Sequence, residues 1–102
     1  MGNEPTFITI ETTKGRYQVE ADVFGAWAVH EHWAKLDQWT LTHVPTGLCV
    51  PDKYTNGVPQ ERLIEVARSL GYQFKDASPD DEIACRRMAT AIKALLAEGA
   101  RG

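Results

Sequence analysis

The chain has 102 residues, 43% of them hydrophobic, with 11 Lys and Arg against 14 Asp and Glu and a formal charge of −3. That length accommodates one compact domain over residues 1–102 and leaves no room for a second core. The slightly acidic, interspersed charge excludes the broad positive field of a strong nucleic-acid binder, and no apolar run is long enough to span a bilayer.

Residues 7–12 alternate, with Ile8 and Ile10 on one side, and Lys14-Gly15 supplies a turn into residues 16–21, where Tyr17, Val19 and Ala21 alternate against Arg16, Gln18 and Glu20. This pattern predicts a hairpin with one wet face. Residues 23–33 contain a third strand centred on 26–30, with Trp27 and Val29 opposite Ala28 and His30, and Gly25 marks a bend or bulge. A polar connection over 34–38 leads to a hairpin over 39–50 that is apolar at both strand parities. Its Pro45-Thr46-Gly47 turn is read as placing Thr42, Val44, Leu48 and Val50 on one face and Trp39, Leu41, His43 and Cys49 on the other. Such a hairpin requires two covers. One is the chain's own helices, and the other is either more of this chain or a partner.

Residues 51–58 read as a loop, and Pro59 then opens a helix to about residue 70, with Leu63, Val66, Ala67 and Leu70 along one stripe and Gly71 as a left-handed stop. Tyr72, Gln73 and Phe74 suit a short edge strand or a packed extended linker. Ser78-Pro79-Asp80-Asp81 combines a capping hydroxyl, a proline and first-turn carboxylates, predicting a second helix over 79–98 with Ala84, Met88, Ala91, Ile92, Leu95 and Leu96 as its apolar stripe. The expected fold is α+β: a mainly antiparallel sheet of four or five strands over about 6–50, covered on one face by two C-terminal helices at 59–70 and 79–98. Burial is expected of Ile8, Tyr17, Val19, Val44, Leu48, Leu63, Val66, Leu70, Met88, Ile92 and Leu95.

No phosphate loop, dinucleotide fingerprint, nucleophile elbow or paired-cysteine motif occurs, so the residues point to no catalytic group and no cofactor. Cys49 and Cys85 read as free thiols of a reducing, cytoplasmic setting. Three sets of side chains remain as candidates. Trp27, Trp33, Trp39, Leu41 and His43 would form an aromatic patch for a protein partner if one sheet face stays open. Arg86, Arg87 and Lys93 are the best basic group for nucleic acid. His30, His32 and His43 would serve as metal ligands for an enzyme if the strands bring them to one face, and His43 beside Thr40, Thr42 or Thr46 is a further hydroxyl–imidazole arrangement.

The pattern Trp39-x-x-Thr42-His43-x-x-Thr46-Gly47, followed by a helix beginning near Gln60, resembles one found in small proteins of bacteriophages and other bacterial mobile elements. The resemblance covers residues 27–70 and assigns no role to any individual residue. It implies an accessory protein of phage or mobile-element origin that acts by binding another protein, and small anti-defence proteins, anti-CRISPR proteins among them, are similar in size and acidic character. The resulting expectation is a non-enzymatic interaction protein, such as an inhibitor of a host defence complex. A nucleic-acid-binding regulator and a metal-dependent enzyme are the alternatives, and a homodimer would also cover an open face.

Overall fold

A computed structural model describes residues 6–100. Its elements are β1 (Phe7–Thr12), β2 (Gly15–Glu20), β3 (Asp22–Phe24), β4 (Trp27–Glu31), β5 (Trp39–His43), β6 (Leu48–Cys49), α1 (Asp52–Thr55), α2 (Gln60–Leu70) and α3 (Glu82–Ala100). The fold is α+β. All six strands join one sheet in the order β2-β1-β6-β5-β4-β3, antiparallel throughout except where β1 runs parallel to β6 at Glu11 and Leu48.

The strand order sets the shape. β2 and β3 are the two edges of the sheet, yet only Ala21 separates them in sequence. Six strands laid flat span five spacings of about 4.8 Å, roughly 24 Å, while one residue advances the chain by at most about 3.6 Å. The sheet therefore curls until its edges meet at Ala21, which is buried and donates its N–H to the Thr6 carbonyl at 2.8 Å. Inside the curl, Ile8 and Ile10 of β1 and Ala28 of β4 form a small core with Val19, Trp33, Val44 and Cys49 around it. The small side chain at Ala28 suits so tight an interior.

The outer face carries the larger core, where Trp27, Val29 and Leu41 pack against Leu63, Val66, Ala67 and Leu70 of α2 and Met88 and Ile92 of α3. Both helical stripes thus face the sheet as their spacing predicts. The second sheet face is covered by the sheet's own curl, so neither a partner nor a homodimer is needed to bury it.

Several details depart from the sequence reading. Gly25, at φ +65°, closes a separate β3–β4 hairpin, so the sheet has six strands where four or five are expected. In the β5–β6 hairpin, His43 faces Leu48 and Thr42 faces Cys49, which exchanges Leu48 and Cys49 between the expected faces and moves Val50 to the outer core beside Leu41. The connection has four residues, 44–47, and one more or fewer residue in a turn flips every side chain beyond it. Leu48 consequently stays 38% exposed, and Tyr17 stays 42% exposed while stacking on Trp33. Val19, Val44 and Leu95 are only partly buried.

In place of a plain loop over 51–58, residues 52–55 wind into α1. Residues 72–74 form turns instead of a strand. α3 begins at Glu82 because Ser78 and Pro79 are spent in a turn of their own, in which the Asp81 N–H reaches the Ser78 carbonyl, and Asp81 then caps the helix by accepting from the Ala84 N–H at 3.0 Å.

The end of α2 is fastened to the sheet by three hydrogen bonds to consecutive turns of the chain. Gly71, Gln73 and Phe74 accept from the Ala26 N–H (2.8 Å), the Trp27 indole Nε1 (3.2 Å) and the His43 Nε2 (2.8 Å). They hold Phe74 at φ +65°, a conformation that costs a bulky residue energy. The approach is close enough that a Cβ on Gly25 would lie 2.4 Å from the Gly71 oxygen. Gly25→Ala is therefore expected to lower the unfolding free energy by about 2–4 kcal/mol. Gly57→Ala, at φ +78° with open space around it, should lose only about 1–2 kcal/mol. Equal losses in urea melts of the two variants would show that the Gly25–Gly71 contact contributes nothing.

Candidate functional site

The two buried histidines are held in place by groups that fix their tautomers. His30 Nδ1 lies 2.7 Å from the Glu31 carbonyl, which only accepts, so Nδ1 carries the proton and Nε2 accepts from the Thr42 hydroxyl at 2.7 Å. The same Thr42 hydroxyl lies 3.2 Å from the Cys49 Sγ, within hydrogen-bonding reach of it. A wire from Cys49 through Thr42 to His30 thus crosses β6, β5 and β4 inside the curl. Cysteine, hydroxyl and imidazole in sequence suggest a nucleophile with its base, but the electrostatics oppose the transfer. Burial raises the Cys49 thiol, with the Thr42 hydrogen bond only partly offsetting it, and burial also lowers the His30 imidazole. A thiolate–imidazolium pair would place two charges where each neutral form is favoured. The wire is a structural one.

His43 sits on the outer face. Its Nε2 donates to the Phe74 carbonyl, so Nδ1 accepts from the Thr46 hydroxyl at 2.9 Å, and burial again lowers the imidazole. Thr46 is thus the one of the three candidate threonines that meets this ring; Thr42 belongs to His30, and the buried Thr40 hydroxyl has no partner among the described residues. His32, just beyond β4, accepts the Ala34 and Lys35 N–H groups at Nδ1 and donates from Nε2 to Asp52 at 3.1 Å. Lys35 also bonds Asp52, and that contact first, then the proximity of His32, holds the carboxyl below the usual range. This cluster ties the exit of β4 to α1.

The expected metal triad is not assembled: His30 and His43 lie on opposite faces, and among the described residues no group of three His, Cys, Asp or Glu side chains could hold a metal ion. Arg86 and Arg87 are exposed on α3, and the Lys93 ammonium lies 5.3 Å from the centre of the Tyr54 ring.

The expected aromatic patch divides in two. Trp27, Leu41 and His43 are fully buried against α2 and the 71–74 segment and cannot meet a partner. Trp33 and Trp39 remain half-buried and line one open cleft of about 510 Å3. Glu20 and Asp22, which flank the Ala21 corner, and Glu31, at the end of β4, place three exposed carboxylates around it, and none has an ion-pair partner among the described residues. Gln60 closes it from the start of α2. The Trp33 ring stacks on Tyr17 (5.7 Å between centres, 17° between planes) and on His32 (6.0 Å, 16°), which fixes the indole as a rigid wall. Carboxylates without counter-ions beside aromatic walls attract a cation, which the ring faces stabilise as well. The sequence marks only Glu20 among these acids, as a position on a wet strand face, because the convergence depends on the Ala21 corner and on β3 pairing with β4, which sets Asp22 opposite Val29.

The buried imidazoles make stability depend on pH. Unfolded, each ring takes up a proton near its ordinary value of 6.5; folded, each does so only at lower pH. Their contribution is complete above 6.5 and is lost as pH falls from there toward the folded-state values, where the unfolded chain binds more protons. The urea midpoint should therefore decline steadily from about pH 7 to pH 5, with the His30 and His43 ring resonances of the folded protein titrating below that of a model peptide. Ring resonances that titrate at or above 6.5 would contradict the burial penalty on the two imidazolium forms.

No protein-family model, curated protein or solved structure matches the chain.

Proposed function

We propose that this chain is a non-enzymatic interaction protein that receives a basic side chain of a protein partner in the cleft formed by Glu20, Asp22, Glu31, Trp33 and Trp39. The observation that carries the reading is the convergence on two half-buried indoles of three carboxylates that have no ion-pair partner among the described residues. Arginine suits such a site best, since a planar guanidinium donates in a fork to carboxylates and lies flat on aromatic walls. The net charge of −3 favours the same partner at longer range.

The phage and mobile-element context implied by the Trp39–Gly47 motif gives the proposal a setting. Proteins that handle nucleic acid carry Lys and Arg patches for the phosphate backbone. An acidic cleft that occupies such a patch competes with nucleic acid for it, which is one way a small accessory protein inhibits a host defence complex.

The test is a titration of the full chain with an arginine-rich peptide, followed by tryptophan fluorescence. Binding should weaken steeply as salt rises and should fall about tenfold in Glu31→Gln and further when Asp22→Asn is added, with folding unaffected because both side chains are exposed. Trp33→Leu should weaken it about fivefold or more. Binding that is indifferent to salt, or equal in the wild type and the Glu31→Gln/Asp22→Asn pair, would overturn the proposal.

A further inference from the structure

A second cleft, of about 350 Å3, lies between α3 and the β5–β6 end of the sheet, walled chiefly by Trp27, Leu48, Val50, Tyr54, Met88 and Ile92. His43 and Thr46 reach its wall, but their polar atoms are already engaged. His43 Nε2 donates to the Phe74 carbonyl, Nδ1 receives the Thr46 hydrogen, and the Thr46 oxygen accepts the Leu48 N–H at 3.3 Å. The lining therefore presents apolar surface with its hydrogen bonds spent, and an occupant of the interior must itself be apolar.

The rim is different. The Lys53 and Lys93 ammonium groups both sit over the ring of Tyr54, 5.1 and 5.3 Å from its centre, and neither has a carboxylate partner among the described residues. Asp52, the nearest acid in sequence to Lys53, is committed to Lys35 and His32. Lys53 lines the cleft and Lys93 reaches its Tyr54 wall, so both unmatched charges are available to an anion at this ring. A cationic rim over an apolar interior is complementary to a molecule with an anionic head and an aliphatic body.

We propose that this cleft binds a free, unbranched aliphatic carboxylate of medium chain length, with the chain against Leu48, Tyr54 and Met88 and the carboxylate at the Lys53 and Lys93 ammonium groups. The site is independent of the acidic cleft at the Ala21 corner and shares no lining residue with it.

The experiment titrates the full chain with decanoate below its micellar concentration, following the Met88 methyl resonance and the rate at which Cys85, which also lines the cleft, is alkylated. The expected result is a saturable shift of the methyl and slower alkylation. Affinity should rise about fourfold for each methylene added from hexanoate to decanoate. Lys53→Met combined with Lys93→Met, both at exposed positions, should weaken decanoate at least about tenfold while decanol binds as it does to the wild type. An unmoved Met88 methyl would overturn the proposal. Equal affinities for decanoate and decanol in the wild type would overturn it as well, as would a shift produced by phosphatidylglycerol vesicles and not by decanoate.

Discussion

Ala21 alone joins the two edge strands of a six-stranded sheet, and that constraint governs the rest of the molecule. A single residue cannot cross the width of an open sheet, so the sheet closes on itself. Closure buries Ile8, Ile10 and Ala28 inside the curl and turns β1, with its parallel contact to β6, into the cover of a face that the helices cannot reach. It also draws Glu20 and Asp22, one on each side of Ala21, toward the end of β4 and the start of α2. The acidic cleft is thus a by-product of topology: the same corner that completes the core gathers its charges.

Polar groups inside this fold act as fasteners. Trp27 and His43, packed ring to ring at 4.9 Å, each donate one hydrogen bond to successive carbonyls at Gln73 and Phe74. Together with the Ala26–Gly71 bond they stop α2 at a fixed place above the sheet. Arg62 reaches from α2 to the Leu95 carbonyl and joins the two helices in turn. Inside the curl, the Cys49–Thr42–His30 wire satisfies three polar side chains on adjacent strands. A buried polar group left unpaired costs more than its hydrogen bond contributes, so fully paired wires of this kind specify one register. These residues resemble catalytic ones in type, and burial disfavours a thiolate at Cys49 and an imidazolium at His30 and His43.

Two surfaces remain that differ in chemistry. At the Ala21 corner, carboxylates surround fixed indoles, which suits a cationic side chain. Beneath α3, an apolar hollow opens toward two ammonium groups. A chain of 102 residues has limited surface, and the clefts lie beside its shortest elements: β3 at the acidic one, β6 and the four-residue α1 at the apolar one.

The sequence by itself determined the elements whose signals are local. The stripe Leu63, Val66, Ala67, Leu70, the left-handed stop at Gly71, the Ile8–Ile10 alternation and the opposite facing of Trp27 and Ala28 all follow from side-chain periodicity or from a single backbone preference. Legible too was that Trp33 and Trp39 are candidates for contact. Beyond the reach of local signals were the exchange of Leu48 and Cys49, which turned on the exact length of one turn, the start of α3 at Glu82, where Asp81 outcompeted Ser78 for the cap, and the split of the aromatic set into buried Trp27 and half-buried Trp33 and Trp39. Only the tertiary structure decided which acids meet. Glu20 reads as a wet strand position and Asp22 as a link between strands, because charge convergence depends on distance in space, and here that distance is set by strand pairing, which no periodicity encodes.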